Sequence, residues 1–158
     1  MAIIITGKSR CPICDEIINE SDDIVMFPPF VQNVNDPFYI FNDSGVHYSC
    51  LLKHKLGNKA LEYRETMLEK LKPENRICDV GGNIITKPDD YIFIDLLTSD
   101  ALEELSKFNF MTIDKNNLSK WQERQLFHKT AHRFIDEGKW KSLADFNYLL
   151  YLIDQTIG

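Results

Sequence analysis

The chain has 158 residues, 44% hydrophobic and 27% charged, with a formal net charge of −6. That length suits one ordinary core, or a small metal-stapled unit joined to a helical one, and leaves no room for a second full-sized domain. The composition excludes a disordered or fibrous chain, and the negative charge argues against a nucleic-acid binder, whose affinity comes largely from Lys and Arg on phosphates.

In chain order, the β-branched stretch Ile3 to Thr6 predicts a short strand, and Gly7-Lys8-Ser9-Arg10 a turn leading into the first cysteine pair. Ile24 to Phe27 reads as a second extended run, stopped by Pro28-Pro29, and Phe38 to Phe41 as a third, stopped by Asn42-Asp43-Ser44-Gly45. These two are expected to pair as a hairpin. The Pro28 to Pro37 loop between them carries Phe30 and Val31, which need somewhere to pack.

From Cys50 the period becomes helical, with Leu52, Leu56, Ala60, Tyr63, Met67 and Leu71 on one face, weakened at Gly57 and ended at Lys72-Pro73. A division at Pro73 to Asn75 separates a unit over 1–72 from one over 76–158 packed on it. The second unit reads as a small antiparallel meander, Arg76 to Val80, Asn83 to Lys87 and Tyr91 to Thr98. Three helices follow. Ala101 to Phe108 starts at a Ser99 or Asp100 cap, Asn117 to Glu137 is ended by Gly138, and Ser142 to Ile157 puts Leu143, Phe146, Leu150, Ile153 and Ile157 on one stripe. The expected fold class is α+β.

No apolar run reaches the ~20 residues of a membrane helix, and Ala2 to Thr6 is too short for a signal-peptide core. The expected compartment is therefore the cytoplasm, where thiols stay reduced and paired cysteines point to metal or redox chemistry. Cys11-Pro12-Ile13-Cys14 followed by His47-Tyr48-Ser49-Cys50 supplies three thiolates and one imidazole, a donor set that suits tetrahedral Zn2+. Four protein ligands leave no open coordination position, which points to a structural ion. Because the ligands meet only when the intervening chain closes, metal affinity becomes folding free energy.

A knuckle, then a hairpin, then two ligands at a helix N-terminus resembles the treble-clef zinc fold over Cys11 to about Leu71. The spacing C-x2-C…H-x2-C resembles the first zinc module of LIM domains, with a longer gap and no second module. What carries over is the fold and Cys11, Cys14, His47 and Cys50 as ligands. Treble-clef HNH nucleases need a catalytic histidine on the hairpin, and none lies between Cys14 and His47.

Strand, Lys and Cys-Pro-x-Cys also resemble the opening of a glutaredoxin, which keeps thiol-redox chemistry as an alternative. Asp15 to Asp23 is too short and acidic for that family's long helix, and no Val-Pro pair precedes a later strand.

Gly7-Lys8-Ser9 lacks the first glycine of a phosphate-binding loop, since position 2 is Ala2; it reads as a turn. Asp79-Val80-Gly81-Gly82-Asn83 lacks G-x-G and reads as a hairpin turn. His128 and His132 stand one helical turn apart without a catalytic glutamate and read as polar neighbours of a core stripe. Cys78 reads as a small buried hydrophobe. Asp22-Asp23, Asp89-Asp90 and Glu103-Glu104 read as turn and capping acids.

These features lead to the expectation of a non-enzymatic, zinc-stabilised protein that binds a protein partner, with Phe30, Val31 and Phe38 to Phe41 as aromatic anchors and an acidic surface for a basic partner. The stretch Asp22 to Phe30 and the His47-x2-Cys50 pair resemble small bacterial proteins, some of them immunity partners of secreted toxins. That resemblance implies a toxin as the partner, and the negative charge of the chain suits one with a basic surface. The alternative is a nucleic-acid-associated zinc adaptor using Lys53, His54, Lys55 and Lys59.

Overall fold

The computed structural model describes residues 3–157. Over these the chain is a mixture of helices and strands, with two small antiparallel sheets of two strands each. Strand β1 (Ile24–Met26) pairs with β2 (Gly45–His47), and β3 (Tyr91–Phe93) pairs with β4 (Thr112–Asp114). Four α-helices accompany them: α1 (Tyr48–Lys53), α2 (Gly57–Leu71), α3 (Arg124–Asp136) and α4 (Tyr148–Gln155). None of the described helices is long and apolar enough to cross a membrane.

The expected partner of β1 was Phe38 to Phe41, but that segment forms a 3-10 turn over Pro37–Phe41. Asp36 explains the change, since its carboxylate accepts the Phe38 N–H at 2.9 Å while Pro37 fixes the first turn. The turn puts Phe38 and Phe41 on one side, where they pack with Phe27 and Phe30. Each such buried side chain is worth ~1.5–3 kcal/mol. Phe30, Val31, Phe38 and Phe41 are buried, so these residues are core and not the exposed anchors expected of them.

The helix expected from Cys50 to Leu71 breaks between Lys53 and Gly57. At Gly57 a Cβ would lie 1.9 Å from the Leu51 carbonyl oxygen, so the close approach of α2 to the end of α1 requires glycine. Lys72-Pro73 does end α2.

The expected meander is reduced to a single bridge between Ile77 and Ile84, whose side chains are exposed and gain nothing from lengthening the pair. Its turn is as expected, with Gly82 at φ +71° and Cys78 N–H donating to Asn83 O at 2.8 Å. Tyr91 to Phe93 instead pairs with Thr112–Asp114, a buried strand that follows Phe110 and Met111. No strand forms at Ile3 to Thr6; the Gly7 turn follows directly.

The three expected helices are all shorter. Glu104–Phe108 is a 3-10 segment, Lys115–Lys120 is another, and α3 starts only at Arg124 before Gly138 ends it at φ +68°. Helix α4 starts at Tyr148 because Asn147 caps it, its side chain accepting from Leu149 and Leu150 N–H. The buried face is therefore Leu149, Leu152 and Ile153, while Leu143, Phe146, Leu150 and Ile157 are exposed.

Buried side chains form two clusters. One gathers Phe27, Phe41, Val46, Leu51 and Met67 with Leu96 and Phe110 from later in the chain. The other gathers Ile94, Leu105, Phe108, Ile113, Phe127 and Leu149. Within the first cluster, Leu96 N–H donates to Phe30 O at 2.9 Å, and near it buried Asn33 accepts from Lys141 N–H and donates to Lys139 O on either side of Trp140, a member of the second cluster. The first cluster backs the cysteine knuckle and includes Cys11 itself.

Candidate metal centre

The first two candidate ligands sit in a tight loop closed by an antiparallel bridge between Arg10 and Ile17. Within it Cys11 N–H donates to Glu16 O at 3.0 Å, and Asp15 N–H to Cys11 O at 2.8 Å. Asp15 takes φ +60°, a left-handed conformation that aspartate tolerates better than most residues and that curls the loop around its sulfurs. The second pair is delivered by the sheet. His47 ends β2 opposite Ile24 of β1, and Cys50 lies in the first turn of α1.

One ligand atom from each of Cys11, Cys14, His47 and Cys50 lies within 4.8 Å of the others. Sulfurs bound to one Zn2+ at ~2.3 Å in a tetrahedron stand ~3.8 Å apart, so a grouping of this size fits a single ion. Cys11 is fully buried, Cys50 and His47 half-buried, and Cys14 exposed. The structure thus brings together the four residues named from sequence, as a cluster able to hold a metal ion.

The imidazole is oriented from both sides. Nδ1 of His47 faces Cys14 Sγ at 3.3 Å, and Nε2 faces the Asp22 carboxylate at 3.3 Å. With the Nε2–H donated to Asp22, the Nδ1 lone pair is left for a metal. The carboxylate is itself held by the Asn19 N–H at 2.6 Å; that bond, opposed by burial and joined by His47, keeps Asp22 below the usual carboxylate range. From sequence alone Asp22 is a turn acid. Its position two residues before the strand that pairs with His47 was the available signal.

The sulfurs are unequal. Burial pushes the Cys11 thiol up, but backbone N–H groups of Cys14, His47 and Ile13 outweigh it and bring it down to about 7. Burial pushes Cys50 up, reinforced by the neighbouring sulfurs of Cys14 and Cys11, to about 11. Three thiolates this close repel one another, and a divalent cation among them reverses that balance. Ion capture would therefore release protons.

Other sequence candidates are placed elsewhere. His128 Nε2 meets Thr156 Oγ1 at 2.9 Å and His132 is exposed, so the pair does not form a second metal group. Cys78 is buried, and its sulfur accepts from Gly81 and Asp114 N–H at 3.3 Å each and from Asn117 Nδ2 at 3.6 Å. Of the lysine group, Lys59 is paired with Glu62 at 2.7 Å and lies over the Tyr63 ring, while His54 packs edge-on against Phe41.

The chain matches no protein-family profile, no curated protein and no solved structure. Any role is read from its own chemistry.

Proposed function

We propose that this chain is a non-enzymatic cytoplasmic protein that binds a protein partner, its N-terminal unit held in a treble-clef-like arrangement by one structural Zn2+. Cys11, Cys14, His47 and Cys50 are the proposed ligands. The observation that carries this reading is the donor set: one ligand atom from each of four side chains lies within 4.8 Å of the others, with the His47 ring held by Asp22, and four protein ligands fill a tetrahedral shell. The order of knuckle, β1 and β2, then α1 supports the treble-clef comparison.

A protein partner is supported by the acidic character of the chain, which steers a basic partner into rapid encounter. An immunity protein neutralising a toxin with a basic, nucleic-acid-attracting active site is the specific role proposed. Thiol-redox chemistry is less well supported, since the attacking sulfur would be Cys11, which is fully buried.

The test is coexpression with a toxin encoded beside this gene. Protected cells and a complex that survives gel filtration support the reading; unprotected cells without a complex remove it.

A further inference from the structure

We propose that the groove beside the metal centre receives an extended segment of a partner protein that presents a lysine or arginine flanked by apolar residues. This rests on the protein-binding reading and adds the place and the chemistry of contact.

The groove encloses about 480 Å3 and is built from three segments: the end of the cysteine knuckle, the approach to β1, and the start of α1. That volume lies within the ~300–1,000 Å3 of clefts that bury ligands. Its charge has one sign. Glu16, Asp22 and Asp23 line it, and no lysine or arginine does.

Asp22 is engaged by His47, while among the described residues neither Glu16 nor Asp23 forms an ion pair. Cys14 and Cys50 also line the groove, and three thiolates around one divalent ion leave a further negative charge there. A cation entering the groove meets carboxylates and metal-bound sulfur, all of them acceptors.

Charge alone does not choose between a side chain and a free polyamine. The apolar lining does. Ile17, Tyr48 and Leu52 line the same groove at 39%, 39% and 53% exposure, and they present an aromatic face and two aliphatic surfaces that water does not satisfy. A lysine or arginine stem packs along such surfaces with its charged head at the carboxylates, and a neighbouring apolar residue covers the remainder. Nucleic acid is repelled by the same carboxylates, and a second copy of this chain carries the same negative net charge.

The test uses the zinc-loaded, 15N-labelled full chain, titrated with the peptide acetyl-Gly-Leu-Arg-Phe-Lys-Leu-Gly-amide. Its neutral counterpart carries citrulline and acetyl-lysine at the two cationic positions. The expected result is amide shifts confined to residues 14–23 and 47–52, with affinity roughly tenfold lower for the neutral peptide. Glu16→Gln and Asp23→Asn, both exposed and outside the proposed ligand set, should each weaken binding roughly threefold with zinc content unchanged.

Absence of shifts, shifts on another face, equal binding of the neutral peptide, or spermidine binding as tightly as the peptide would each overturn the proposal. None of these touches the coexpression result, so the broader reading fails or survives independently.

Discussion

The Asp22 carboxylate stands 3.3 Å from Nε2 of His47, on the side of the ring away from the cysteines. A carboxylate in this position fixes tautomer and ring orientation and raises the basicity of the other nitrogen. Asp22→Asn should therefore lower metal affinity about 10- to 100-fold without removing a ligand. Competition against a chromophoric chelator measures it; unchanged affinity would show that the contact does not orient the imidazole.

Cys50→Ser should leave three donors and a metal content well below that of the parent, with loss of order in the N-terminal unit. Cys78→Ser should retain full metal content and lose only about 1–2 kcal/mol, because its sulfur accepts hydrogen bonds far from the cluster. Parallel metal analysis and thermal unfolding separate the two effects. Equal metal loss in both variants would contradict the ligand set.

Gly57 is where helix geometry and metal geometry meet. An alanine there drives its Cβ into the Leu51 carbonyl, and Leu51 follows Cys50 directly. Gly57→Ala should cost about 1–3 kcal/mol and shift the amide resonances of Cys50 and His47. Full stability would mean that the break between α1 and α2 can be closed without strain.

Asp95 links the two clusters, its carboxylate accepting from Gln32 Nε2 at 3.0 Å. Burial pushes its pKa up from the ordinary 3.8 to about 6, only partly offset by hydrogen bonds from Gln32 and Tyr148. The folded state thus binds this proton more tightly than the unfolded chain. The stability it contributes is present below about pH 4 and is lost as pH rises through about 6. Asp95→Asn should be more stable than the parent at pH 7.5 by about 1–2 kcal/mol, with the difference shrinking toward pH 5. Denaturant titrations at both pH values check it; a pH-independent difference would locate the effect in lost packing.

The metal-site candidates were legible because zinc chemistry needs few residue types at short spacing, and Cys11-x2-Cys14 and His47-x2-Cys50 stand out in any context. Turns at Gly7, Gly82 and Gly138 were legible for a similar reason, since each takes a positive φ. Strand pairing was not. The aromatic run Phe38 to Phe41 has the stronger β-propensity, but the Asp36 cap wins locally and β1 pairs with Gly45–His47, which has little β-propensity of its own.

Helix lengths failed where one polar side chain overrode the periodic pattern, as Asn147 does at the start of α4. Asp22 was hidden because a turn acid and a histidine-orienting acid look identical until the register of β1 on β2 brings Asp22 to the ring.

Metal analysis of the purified native chain, followed by amide spectra before and after a strong chelator, tests the central claim most directly. The expected result is one equivalent of zinc per chain, and collapse of the signals of residues 9–50 when it is removed. A protein without stoichiometric metal, whose N-terminal signals stay dispersed in chelator, would contradict the account.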